Sequence, residues 1–224
     1  MSVFRQAGHD VRLEWGAEGV AALGAGCAVL VVVDVLSFST RVDLALAEGH
    51  RVQPVHWLGE DPPEGTEVPL RSPNGATLSA EAAATGAHVL TACLRNAHAV
   101  AEAALALAGD APVGVVPCGE RWGVHLRAGP GATGPLRPCV EDHLGAGAVV
   151  AALLDLGARR LSPEASLAAL AWRAAGPEAG ALVAGSASGR ELRENGRGGL
   201  VGHAVAVGSS RVVPRLREGV YERG

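Results

Sequence analysis

Lysine is absent from the 224-residue chain, and so is isoleucine. All 19 basic residues are therefore arginine, set against 23 acidic ones for a formal net charge of -4. Without lysine there can be no Walker-type phosphate loop, no Ser-Lys dyad and no pyridoxal Schiff base. Aromatic residues make up only 3% of the chain, too few and too scattered to build a stacking platform for bases. No basic block accompanies the isoelectric point near 6.1, so the clustered positive charge that neutralises nucleic-acid phosphates is missing. Cys27, Cys93, Cys118 and Cys139 lie far apart with no Cys-x-x-Cys spacing, which argues against a zinc knuckle or a redox dithiol and for buried, reduced thiols. No stretch reaches the roughly 18 to 20 apolar residues of a membrane span. Met1 to Trp15 carries charges and has no apolar h-region, so the expectation is a cytoplasmic protein without membrane or nucleic-acid partners.

What the chain does hold is enough apolar material, 48% of residues, to bury one sizeable core, expected as a single α/β domain over residues 1–224. Cys27 to Val33 is an unbroken apolar run of the kind that suits a central strand covered on both faces, and it ends in Asp34. Ser39 to Glu48 reads as a helix closed by Gly49, and Arg51 to Trp57 as a strand. Leu58 to Thr66 reads as a loop, and Ala76 to Ala84 as a helix after the turn Ser72-Pro73-Asn74-Gly75. A strand over His88 to Cys93, a helix over Ala97 to Ala108 and a strand over Ala111 to Cys118 follow. Then come a Gly/Pro loop from Gly123 to Pro138 and a helix over Pro138 to Leu156, with Glu141 and Asp142 in its first turn. Ser162 to Ala175 reads as a helix, Gly180 to Gly185 as a strand or turn, and His203 to Gly208 as a short element. Val212 to Leu216 with Gly219 to Tyr221 reads as a closing hairpin or edge strand. Alternating strands and helices predict a three-layer α/β/α fold with a mostly parallel or mixed central sheet.

Chemistry in such a fold gathers at the carboxyl ends of strands. Asp34, Glu120, Glu141 and Asp142 all fall at predicted strand ends or helix starts, and carboxylate oxygens suit a hard cation such as Mg²⁺. Helix capping would also account for Asp34, and the helix dipole for Glu141 and Asp142. Arg121 and Arg190 could match phosphate or sulfonate oxygens through paired hydrogen bonds, or serve as surface ion-pair partners. The segments Ser72 to Gly75 and Ser186 to Gly189 could present backbone N–H groups to an anion. No His-Glu-x-x-His or Gly-x-Ser-x-Gly pattern appears. Of the eight histidines only His143, beside the acidic pair, comes near the candidate groups, with a solvent-facing orientation expected.

Six segments in register resemble one known family. They are Val31 to Leu36 with the Ser/Thr cluster behind it, Ser72 to Thr77, Leu94 to Ala97, Cys118 to Trp122, Val140 to Asp142 with Gly145 to Ala148, and Ser186 to Leu192. Together they are similar to the 2-phosphosulfolactate phosphatases, over nearly the whole chain. The resemblance implies an α/β fold and Mg²⁺-dependent hydrolysis of a small anionic phosphate monoester. It implies Asp34, Glu141 and Asp142 as catalytic or metal-binding carboxylates. Asn74, Glu120, Arg121, Ser188 and Arg190 would contact the substrate. The chain departs from the pattern in two places: Ser37-Phe38-Ser39-Thr40 stands where an arginine is common, and the stretch from Trp57 to Arg71 is short. A non-catalytic binder of an anionic metabolite that keeps the pocket is the competing expectation, and an α/β hydrolase of another ester ranks below both. A homodimer formed through the C-terminal edge strand is also expected.

Overall fold

A computed structural model describes residues 3–57, 59–60, 65–123 and 134–224. The expected loops at Leu58 to Thr66 and Gly123 to Pro138 lie partly outside these residues. In chain order the elements are β1 (Val11–Leu13), α1 (Gly16–Leu23), β2 (Val29–Val33), α2 (Phe38–Ala47), β3 (Val52–His56), β4 (Val68–Ser72), α3 (Gly75–Ala83), β5 (His88–Ala92) and α4 (Ala97–Ala108). They continue with β6 (Val113–Pro117), β7 (Glu120–Arg121), β8 (Leu136–Arg137), α5 (Val140–Asp155), α6 (Pro163–Ala175), α7 (Ala179–Gly185), α8 (Ala187–Glu194), α9 (Gly198–Ala204), β9 (Pro214–Arg217) and β10 (Val220–Arg223).

The strands form an eight-stranded mixed sheet in the order β1-β6-β2-β5-β9-β10-β3-β4. The β1/β6, β6/β2, β2/β5 and β3/β4 pairs are parallel, and the C-terminal hairpin joins the two parallel blocks with antiparallel pairs on either side. The unbroken aliphatic run of β2 buries both of its faces. Val29, Val31 and Val33 pack with α4, α5 and α6, whereas Leu30 and Val32 pack with α1 and α3. A third cluster joins Phe38, Val42 and Leu46 of α2 to Val52, Leu70 and Tyr221 under the far strands. No helix among the described residues is long and apolar enough to cross a membrane.

Two expectations are corrected here. Gly180 to Gly185 is not a strand or turn but most of α7, because Val183 of this short apolar run packs against the α4–α6 core; a six-residue run carries no period that separates the two choices. His203 to Gly208 straddles the end of α9 and the turn behind it. The closing hairpin forms, but it fills the middle of the sheet and leaves β1 and β4 as the edges. Pro214 is accommodated as the first residue of β9, and the edge-strand argument for a dimer loses its premise.

The hairpin also determines where the sheet ends meet. Five strand spacings separate β2 from β4, about 24 Å in a flat sheet, yet Ser72 at the end of β4 hydrogen-bonds Asp34 just beyond β2 at 3.3 Å. The sheet therefore curls, bringing the ends of oppositely directed strands together.

Small residues in α5 serve two surfaces. Gly145 faces β2, where a Cβ would stand 2.8 Å from a Val33 methyl, whereas Gly147 faces α6, where a Cβ would fall on the Ala168 carbonyl and 2.9 Å from Trp172 Cβ. Backbone cannot give way as a side-chain tip can, so Gly147→Ala should destabilise the protein by about 1 to 3 kcal/mol in urea unfolding. Gly202→Ala, on a helix with nothing within 4 Å of the added methyl, should be neutral or stabilising by up to about 1 kcal/mol.

Candidate active site

Asp34 leaves β2 at the point where two helices start. Its Oδ1 accepts the Phe38 N–H at 3.1 Å, at the beginning of α2, and its Oδ2 accepts the Gly75 N–H at 2.9 Å, at the beginning of α3. The Ser72 hydroxyl donates to the same Oδ2. Capping and site formation, alternatives at the sequence level, are thus combined in one buried side chain. Only glycine fits at position 75, since a Cβ there would overlap the Phe38 ring and lie 2.7 Å from Asp34 Oδ2. This close approach explains the Asn-Gly turn.

Asp142 and Glu141, adjacent in the first turn of α5, behave differently. Asp142 accepts the Val35 N–H on Oδ1 at 2.7 Å and the Gly119 N–H on Oδ2 at 2.9 Å, tying the chain beyond β2 to the chain beyond β6. Glu141 is 2% exposed, and its Oε1 is buried with no hydrogen-bond donor among the described residues. Glu120, at the start of β7, accepts the Asn74 side-chain amide at 2.9 Å. The β7/β8 pairing of Glu120 with Arg137 holds it in place.

These carboxylates sense one another. Burial raises the Asp34 pKa above the usual carboxylate range against its hydrogen bonds, and the Glu141 charge adds to the rise. Asp142 is pushed well above that range by burial and then by Asp34, Glu141 and Glu120. Glu120 is pushed up to about 8 by burial first and Asp34 second. Among the described residues no three His, Cys, Asp or Glu side chains form a ready-made metal cage. Mg²⁺ asks for less, one or two carboxylates with water and substrate oxygens completing the shell. An oxygen-only, mutually repelling set with a buried, donorless carboxylate oxygen fits such an ion.

A cavity of about 230 Å³ opens beside this cluster, lined by Asp34, Asn74 and Glu120 and also by Ser188 of α8. Glu141 and Asp142 stand outside its lining, as do two residues expected to touch substrate. Arg190 is exposed on the opposite face of α8, because Ser188, Glu191 and Leu192, three and four residues apart, form the face turned to the cavity. The Arg121 guanidinium donates to the Gly134 carbonyl instead. Positive charge comes from residues that motif reading passed over. Arg41, Arg71 and Arg197 line the cavity, and Arg137 reaches the Ser188 hydroxyl at 3.4 Å. Arg71 donates to the carbonyls of His56, Trp57 and Gly59. Position 41 lies one helical turn past Ser37, the one signal that an arginine could reach the space vacated there. His143 turns onto Trp15, ring planes 4° apart and centroids at 6.0 Å. All four cysteines are free and buried, and burial and nearby carboxylates raise the Cys118 and Cys139 thiols.

The 2-phosphosulpholactate phosphatase family matches the chain over residues 53–219. A probable 2-phosphosulfolactate phosphatase of Deinococcus radiodurans is 31% identical over 183 residues, which span 79% of this chain and 70% of that protein.

Raised carboxylate pKa values fix the sign of a pH effect. Between the ordinary value of 4.5 for a free glutamate and about 8 for Glu120, the folded protein holds a proton that the unfolded chain has released, so stability falls as pH rises. Asp34 and Asp142 act in the same direction. In chelator, the thermal midpoint should drop from pH 5 to pH 8, and Glu120→Gln should flatten that drop in a pH series of melting curves.

Proposed function

The chain belongs to the 2-phosphosulpholactate phosphatase family, a family of phosphoric monoester hydrolases, and from that premise we propose a Mg²⁺-dependent phosphatase acting on 2-phosphosulfolactate or a related small phospho-hydroxy acid. The observation that carries this reading is the buried, mutually repelling carboxylate cluster beside the cavity, which includes a Glu141 oxygen with no hydrogen-bond donor among the described residues.

Hydrolysis of a phosphate monoester breaks the ester P–O bond as a nucleophile adds in line, and charge is spread over the equatorial oxygens. A bound divalent ion supplies neutralisation of that charge. Asp34 and Glu141 would hold the ion. Asp142, with both oxygens on backbone N–H groups, fixes the strand ends that aim them. Asn74, itself held by Glu120, orients one end of the substrate. The Ser188 hydroxyl, backed by Arg137, lies on the same cavity lining. A pocket of about 230 Å³ is below the usual drug-sized range of about 300 to 1,000 Å³ and suits a metabolite of a few heavy atoms.

The test is release of inorganic phosphate from phosphorylated hydroxy acids with and without Mg²⁺. Wild type should turn over at least one of them only with the metal. Glu141→Gln, which removes a buried charge and should not unfold the chain, should lower kcat/KM by at least about 10²-fold. Asp34→Asn should do the same. Turnover that survives chelation removes the metal from the proposal, and ligand-induced stabilisation without turnover of any ester identifies a binding protein instead.

A further inference from the structure

The cavity also carries on its lining two arginines that no acidic side chain pairs with among the described residues. Arg41, on α2, and Arg197, just before α9, both line it and are both half-buried. Among the described residues neither guanidinium makes a hydrogen bond or a salt bridge. Other arginines of the chain do, Arg95 with the buried Asp43 at 2.7 Å and Arg160 with Asp10 at 2.6 Å. Burial and then the repulsion of Arg197 lower the Arg41 pKa, with partial compensation from the Asp34 charge. Glu191 lines the same cavity and pairs with neither. Trp57 lies on the lining as well, and its indole N–H is buried without an acceptor among the described residues. An indole nitrogen can only donate. Two guanidiniums that repel each other and an orphan N–H on one cavity lining are therefore all donors, and a planar or tetrahedral oxyanion meets such donors in paired hydrogen bonds.

We propose that Arg41, Arg197 and the Trp57 indole form a second-anion subsite, which holds the carboxylate or sulfonate of the substrate while its phosphoryl group lies toward Asp34. The subsite rests on the phosphatase reading of the cavity. It makes the enzyme selective for phosphate esters that carry a further anionic group, and it stands in for the arginine that position 37 lacks.

Selectivity is measured as the ratio of kcat/KM for 2-phospholactate to that for isopropyl phosphate, which has the same secondary ester without the carboxylate. The ratio should fall by about 10- to 100-fold in Arg41→Gln and in Arg197→Gln, carried mainly by KM for 2-phospholactate. A ratio unmoved in both variants overturns the subsite and leaves the phosphatase reading intact. If the wild type hydrolyses neither of these esters nor 2-phosphosulfolactate, the phosphatase reading fails and thermal shift with sulfoacetate, a carboxylate and sulfonate without phosphate, decides the subsite. Stabilisation of the wild type that is lost in the double variant supports it, and equal or absent stabilisation in the two overturns it.

Discussion

Burying the Asp34 carboxylate is the constraint around which the site is arranged. A charge at the end of a strand sealed on both faces is costly unless donors meet it. Here two backbone N–H groups, each from the first turn of a different helix, and the Ser72 hydroxyl supply them. One donor is four residues away and the other two lie about 40 positions on, so the need to satisfy one side chain fixes α2, α3 and the end of β4 relative to β2. Asp142 repeats the device between β2 and β6. Both acids remain reluctant to ionise in spite of their donors, which leaves the region poised for positive charge.

The cavity beside them is polar in an ordered way. Carboxylates and guanidiniums share its lining, and neither Arg41 nor Arg197 pairs with an acid among the described residues. A ligand that carries a phosphoryl group and a second anion would meet both kinds of group. Neither kind alone would select for such a molecule. The family membership supplies the reaction class.

Much of the frame was legible from pattern. The helix over Ala97 to Ala108 forms with those limits, and β2, β5, β6 and α5 fall inside the segments that periodicity marked. The failures share a physical origin. The run at α7 is too short to show a period, and β4 sits in a stretch whose Pro69, Arg71 and Ser72 give no strand signal. The hairpin read correctly as a hairpin, but no local feature says that it will be inserted between β5 and β3. Within the site, Asp34, Asn74, Glu120 and Ser188 were selected by motif and do line the cavity. Arg121 and Arg190 were selected by the same rule and do not. Adjacency in a motif does not specify which way a helix or a two-residue strand turns its side chains.

Composition and local pattern by themselves determined that the chain is α/β, that its chemistry cannot use lysine, and that acids stand at strand ends, because these follow from residue type and short-range periodicity. Tertiary structure alone decided the rest. The curl of the sheet around the C-terminal hairpin joins the ends of β2 and β4. The face α8 presents excludes Arg190 and admits Ser188. The packing of α2 near Arg197 turns Arg41 from an unremarked surface-type residue into half of a charged pair. Each depends on contacts between residues tens of positions apart or more, and no window of sequence contains both partners.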